Sequence, residues 1–327
     1  MLEEYLLKKK LFLNNIIQKS MKKKLIIIAA GFLLSYPAAV LSNSINLSTN
    51  TFEDKIQKNI GEKNPQNIIN NADIKYKNKD YKSAIVEYSK ILIDNPKNKH
   101  ALFRRALSKS KIKDYEGAIS DYSKVIEIDK TYYLAFYNRG YVKEEIKDYY
   151  GAISDYNKAI YLKKDYENAY INRAYAKSDI GDLLGAISDF TTVIDINSKN
   201  SYAFYGRGYI QSKLEDHYAA ISDFTKAIKI DQKDYLAYAA RGYSKGEIND
   251  YEGSLDDYSK AISINPNLEY AYFNRGLINY NNDKYKEACT DWIKASELGY
   301  ENAHKKADNC KNSDNFKASV KNLLESK

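Results

Sequence analysis

The chain has 327 residues, 44% of them apolar and 29% charged, with only 4 Pro and 14 Gly; this excludes a collagen-like or linker-dominated protein and leaves ample material for a folded core. A net charge of +8 would suggest nucleic acid or an anionic surface, but residues 1–42 hold seven lysines against two glutamates, and without them the balance falls to +3. The remaining charges alternate in sign with no basic block, so the electrostatic case for a nucleic-acid partner goes with the leader.

In chain order, the first signal is Met21, three lysines, an apolar run from Leu25 to Leu34 and then small residues. This is the layout of a secretory signal peptide. The run is short for a bilayer span of about 20 residues, and reaches that length only if extended to Leu41. The expectation is therefore an extension and signal peptide over 1–42, with Met21 as the start, and export to the periplasm or cell envelope. An uncleaved segment anchoring the protein in the inner membrane is the alternative, and the only membrane contact expected. Residues 43–64 read as a polar linker.

From residue 65 the sequence repeats itself. "DYKSAIVEYSKI" begins at Asp80, "DYEGAISDYSKV" at Asp114 and "DYYGAISDYNKA" at Asp148; further copies follow at Asp182, Asp216 and Asp250, and a looser one at Lys284. Every step is 34 residues. Tyr149, Ala152, Ile153, Tyr156, Ala159 and Ile160 fall on one helical face, and the Asp before them is placed to cap the free N–H groups of that helix. A preceding segment through Phe136 and Gly140 forms a second helix. Helices this short are marginal alone, so each pair must stack on its neighbours in an all-α solenoid with a continuous core. Seven units are predicted over 65–302, followed by a capping tail over 303–327.

The period and its pattern resemble the tetratricopeptide repeat (TPR) family. In the unit starting at Tyr133, that family's large residue falls on Phe136, its small one on Gly140, and its later aromatics and alanines on Tyr149, Ala152, Tyr156 and Ala159. The family's terminal proline appears only as Pro96 and Pro266. The resemblance implies a right-handed superhelix of seven helix-turn-helix units with a C-terminal capping helix.

Two charges recur with the period. The seventh position of a unit holds Arg105, Arg139, Arg173, Arg207, Arg241 and Arg275, and the twenty-third holds Asp121, Asp155, Asp189, Asp223, Asp257 and Asp291; the first unit has Asn71 and Glu87 instead. A ladder of free guanidinium groups would bind acidic ligands, whereas paired recurrence favours internal bridges between partly buried groups. The pairing itself stays open, because the seventh position nears the twenty-third both of its own unit and of the preceding one.

The resemblance also implies a concave surface lined by the first helices, with partner contacts from positions five and nine. Those include Phe103, Tyr137, Tyr141, Tyr175, Tyr205, Tyr209, Tyr243 and Phe273, an aromatic stripe suited to an extended peptide or a partner helix. Packing between repeats is the competing reading of the same rings.

No catalytic or cofactor chemistry is evident: the three histidines occupy unrelated places, and no metal-ligand spacing or nucleotide fingerprint occurs. The run around Cys289 and Cys310 resembles the C-terminal unit of many exported bacterial repeat proteins. In an oxidising compartment these two cysteines invite a disulfide, with two free buried thiols as the alternative. The expectation is a non-enzymatic scaffold binding a protein or peptide partner in the bacterial envelope, or alternatively a chaperone-like accessory factor for envelope assembly or secretion.

Overall fold

The computed structural model describes residues 65–312; the leader read over 1–42, the linker over 43–64 and the end of the tail lie outside the described residues. The chain divides into two units at residues 71 and 72. Only the opening turns of the first helix belong to the first unit among the described residues, and everything else belongs to the second.

Fifteen α-helices and no strand occur among the described residues. The first helices of the seven repeats are α1 (Pro65–Lys77), α3 (Lys99–Lys111), α5 (Tyr133–Glu145), α7 (Glu167–Asp179), α9 (Ser201–Lys213), α11 (Tyr235–Glu247) and α13 (Glu269–Asn281). The second helices are α2 (Tyr81–Asp94), α4 (Tyr115–Ile128), α6 (Tyr149–Leu162), α8 (Leu183–Ile196), α10 (His217–Ile230), α12 (Tyr251–Ile264) and α14 (Tyr285–Glu297), and α15 (Glu301–Asn312) follows the last pair. From α2 to α15 each helix packs on the next in sequence, and successive first helices from α3 to α13 also touch, except that no such contact stands out between α7 and α9. This is the layered packing of a TPR solenoid.

The turn inside each repeat follows from two residues. Lys113, after α3, takes φ 65°; its N–H bonds Ser110 O, and the Asp114 N–H bonds Lys109 O, the paired bonds of a left-handed helix stop. Asp114 then starts α4 by accepting the Gly117 N–H on its carboxylate. Asp80, Asp148, Asp182, Asp216 and Asp250 cap their helices in the same way, each worth about 1 kcal/mol. Lys284 offers no such cap to α14. The left-handed residue is Gly181 in the fourth repeat, but Lys79, Lys147, Glu215, Asn249 and Asp283 elsewhere.

The core is a file of buried rings: Tyr88, Tyr122, Tyr156, Phe190, Phe224, Tyr258 and Trp292, one from each second helix. A small residue on the partner helix lets each ring in. A Cβ on Gly140 would lie 2.9 Å from the Tyr156 ring, and one on Gly276 would lie 2.6 Å from the Trp292 indole nitrogen, so those glycines mark true close approaches.

Candidate functional site

The recurring arginines turn inward. Arg139 Nε donates to Asp155 Oδ2 at 2.9 Å and Nη2 to Oδ1 at 2.6 Å, a two-bond fork within one repeat. Its third nitrogen, Nη1, donates to Ser123 Oγ of the preceding repeat at 2.9 Å. That hydroxyl in turn donates to Ile119 O. Arg105, Arg173, Arg207, Arg241 and Arg275 make the same fork to Asp121, Asp189, Asp223, Asp257 and Asp291. Their Nη1 atoms reach Ser89, Asn157, Thr191, Thr225 and Ser259, always one repeat back. Of the two pairings open from the sequence, the fork therefore takes the aspartate of its own unit, while a neutral acceptor ties it to the unit before.

A lysine joins the site. Lys143 Nζ lies 2.8 Å from Asp155 Oδ2 and donates to Gly151 O at 3.4 Å; Lys109, Lys177 and Lys245 repeat the contact with Asp121, Asp189 and Asp257. Two cations thus face one buried carboxylate, the partners that such burial requires. At Asp121 burial is the largest influence and pushes the carboxyl up, but the hydrogen bonds and charges of Arg105 and Lys109 together hold it below its ordinary value. Glu144 has no such help: burial, with Asp179 and Glu145 nearby, raises it, although it accepts the Tyr156 hydroxyl at 2.7 Å.

The eight rings of the stripe divide into two groups. Phe103 meets Tyr122 and Tyr132 at centroid distances of 5.7 and 5.2 Å, and Tyr137 meets Tyr156 and Tyr166 at 5.9 and 5.0 Å. Tyr175 packs on Phe190, Tyr205 on Phe224 and Phe273 on Tyr300. These five are half-buried packing residues. Tyr141, Tyr209 and Tyr243 instead keep 42%, 44% and 46% of their surface in solvent. Burial pushes the Tyr205 hydroxyl up to about 12, so it remains a hydrogen-bond donor at neutral pH.

Between α9 and α13 this face opens into a pocket of about 490 Å³, lined by Tyr205, Tyr209, Tyr243 and Tyr270 together with Ala239 and Ala240. Its cause is legible in the repeat register. Where other units place Phe103, Tyr137 or Phe273 the sixth has Ala239, and where others place Arg104, Asn138, Asn172 or Asn274 it has Ala240.

A sequence model described as tetratricopeptide repeat matches residues 100–132, 133–166 and 201–234, and one described as TPR repeat matches 242–283. These stretches are tetratricopeptide repeats. A tetratricopeptide repeat protein from Parabacteroides merdae matches the TPR array with a TM-score of 0.59 at 18% identity, over 72% of this chain and 94% of its own. The C-terminal part of a TPR repeat-containing protein from Cytophaga hutchinsonii gives 0.61 at 19%, over 74% and 98%. At these identities the likeness is one of fold. No curated protein matches the chain.

At the end of the TPR array Cys289 on α14 and Cys310 on α15 are joined by a disulfide, with their Cα atoms 5.5 Å apart. Cys310 and Trp292 share the last core cluster. Two features of the array escaped the reading of the sequence. The lysine at position eleven recurs with the same 34-residue period as the arginine, and is replaced only by Gln211 and Asn279; following the period through every column would have found it. The pocket is signalled by the adjacent small residues Ala239 and Ala240, which attention to the rings alone passes over.

Proposed function

We propose that this TPR array is a non-enzymatic scaffold that holds an extended peptide segment of a partner protein along the face of its first helices, in the bacterial envelope. The observation that carries the reading is the trio Tyr141, Tyr209 and Tyr243: large rings on α5, α9 and α11 left about half in water. Rigid amphipathic rings of this kind anchor protein partners with little entropy to lose. The arginines do not compete for the role, because Nε, Nη1 and Nη2 of each already have partners inside the array. For the location, support comes from the signal-peptide layout at Met21 and from a disulfide, which persists in an oxidising compartment.

The test is an array of extended peptides probed with the wild-type protein and with a Tyr141, Tyr209 and Tyr243 triple alanine variant. A loss of at least about tenfold in binding, at unchanged helix content, is the expected result, since anchor residues each account for roughly 1–2 kcal/mol or more. Unchanged binding would sink the groove. Fractionation of producing cells should recover a shortened chain, lacking roughly the first 42 residues, with the envelope; recovery of the full chain in the cytosol would remove that part.

A further inference from the structure

We infer that the pocket between α9 and α13 is a specificity site for one aromatic side chain, that of a phenylalanine or tyrosine in the bound segment. The physiological ligand rests on the peptide-holding reading above; the pocket's own preference does not.

The array itself supplies the image of the occupant. In the second and third repeats the position-five ring is held between a core ring of the second helix and an aromatic at the end of the unit, Phe103 edge-on to both Tyr122 and Tyr132, and Tyr137 tilted against Tyr156 and edge-on to Tyr166. In the sixth repeat the ring is absent and Ala239 stands in its place, while Tyr270 of the next repeat packs on the cluster around Ala239 and lines one side of the pocket. Tyr205 meets Phe224 at 5.8 Å, and Tyr209 and Tyr243 add two more rings. The sixth repeat's own core ring Tyr258 and end residue Leu268 stay in the core behind Ala239, and a neutral ring brought in from outside meets instead the aromatic faces of Tyr205, Tyr209, Phe224, Tyr243 and Tyr270.

Charge argues against a cationic occupant. Lys213, itself part of the lining, holds its Nζ 5.9 Å from the centroid of the Tyr209 ring, so the pocket already has its positive charge beside an aromatic face. Asn274, also in the lining, differs from its counterparts: Asn138 donates to Leu134 O and Asn172 to the Tyr137 hydroxyl, whereas the Asn274 side chain has no bond among the described residues. It is free to bond the main chain of the segment that carries the ring. The size, about 490 Å³, lies in the range of roughly 300–1,000 Å³ typical of specific small-ligand pockets.

The experiment is a calorimetric or ligand-observed NMR titration of the full chain with the N-acetyl amides of phenylalanine, tyrosine, leucine and arginine. The aromatic amides are expected to bind about 2- to 10-fold more tightly than the leucine amide, and the arginine amide no better than leucine. Ala240→Phe fills the pocket from a half-buried position, and Ala239→Phe does so at a place where the second and seventh repeats already hold Phe103 and Phe273. Either variant, with wild-type helix content, should reduce the aromatic amides to the level of leucine. The inference is overturned if leucine or arginine amide binds as tightly as the aromatics, if no amide binds, or if aromatic preference survives in both filled variants; should neither variant fold, the wild-type ranking decides. Aromatic preference with no binding of any extended peptide would leave the pocket standing and remove the peptide-holding function. Peptide binding lost in the triple tyrosine variant but indifferent to aromatic content would do the reverse.

Discussion

Arg139 occupies a place where a buried hydrophobe would pack well, and the geometry shows what the charge does there. One guanidinium fixes three helices at once: its own, the second helix of its repeat through Asp155, and the second helix of the repeat before through Ser123. Buried pairs often roughly break even against apolar replacements, yet breaking one is costly. Arg139→Ala is therefore expected to lower stability by about 3 kcal/mol, because Asp155 is only 3% exposed, though Lys143 still reaches it. In a denaturant cycle with Asp155→Ala the two losses should couple by roughly 1–3 kcal/mol; additive losses would contradict the fork. Glu144 gives the opposite sign. Its folded value is raised, so its contribution is fully present below the ordinary carboxylate range and is lost as pH rises through the raised value. Glu144→Gln, which can still accept the Tyr156 hydroxyl, should raise the thermal midpoint at pH 7 and leave it nearly unchanged at pH 4, as read by circular dichroism. At this scale the sequence made the charges and their period visible, but not the pairing. Antiparallel helices bring position seven near two candidate aspartates, and only the actual side-chain reach selects one and assigns the hydroxyl to the other neighbour.

Helices were the most legible level, for a physical reason. Between the paired helices of six repeats stand a left-handed residue that stops the first and an aspartate that caps the second, so periodicity and punctuation agree. The groove was less legible because positions five and nine obey the same aromatic preference while meeting different surroundings. Tyr137 is gripped by two rings and Tyr141, one turn on, is not; composition cannot distinguish them. At the last element, α15 is tied to α14 by a bridge closing 21 residues of chain. Closing such a loop is worth about 3 kcal/mol in the chain-entropy account. Reduction is expected to speed amide hydrogen exchange in 301–312 well before it affects α5 to α8. Exchange that accelerates evenly along the array, or not at all, would contradict a local clamp.

For the array as a whole, the repeats are joined by contacts of one kind, an arginine donating to a serine, threonine or asparagine of the unit before, so stability should sum over units and their interfaces. Deleting one complete period, residues 167–200, would bring Arg207 against Asn157, the acceptor Arg173 uses in the intact chain, in place of Thr191. The shortened protein should keep its helix content per residue and melt at a somewhat lower temperature. Loss of helical signal would mean that the interfaces are not equivalent. The deletion also leaves the pocket intact, since every residue lining it lies beyond residue 200.

The left-handed turn between paired helices has a consequence for engineering. Six of its seven occurrences use a residue with a side chain, among them Lys113 and Lys147, and only Gly181 is the residue that conformation prefers. A side chain there costs roughly 1–2 kcal/mol in the folded state, of which glycine's extra freedom when unfolded returns part. Lys147→Gly should thus gain about 0.5–1 kcal/mol, measurable by urea titration, without touching a ring or a fork. Applied at several turns, the same change would yield a heat-tolerant frame on which the binding face could be rewritten.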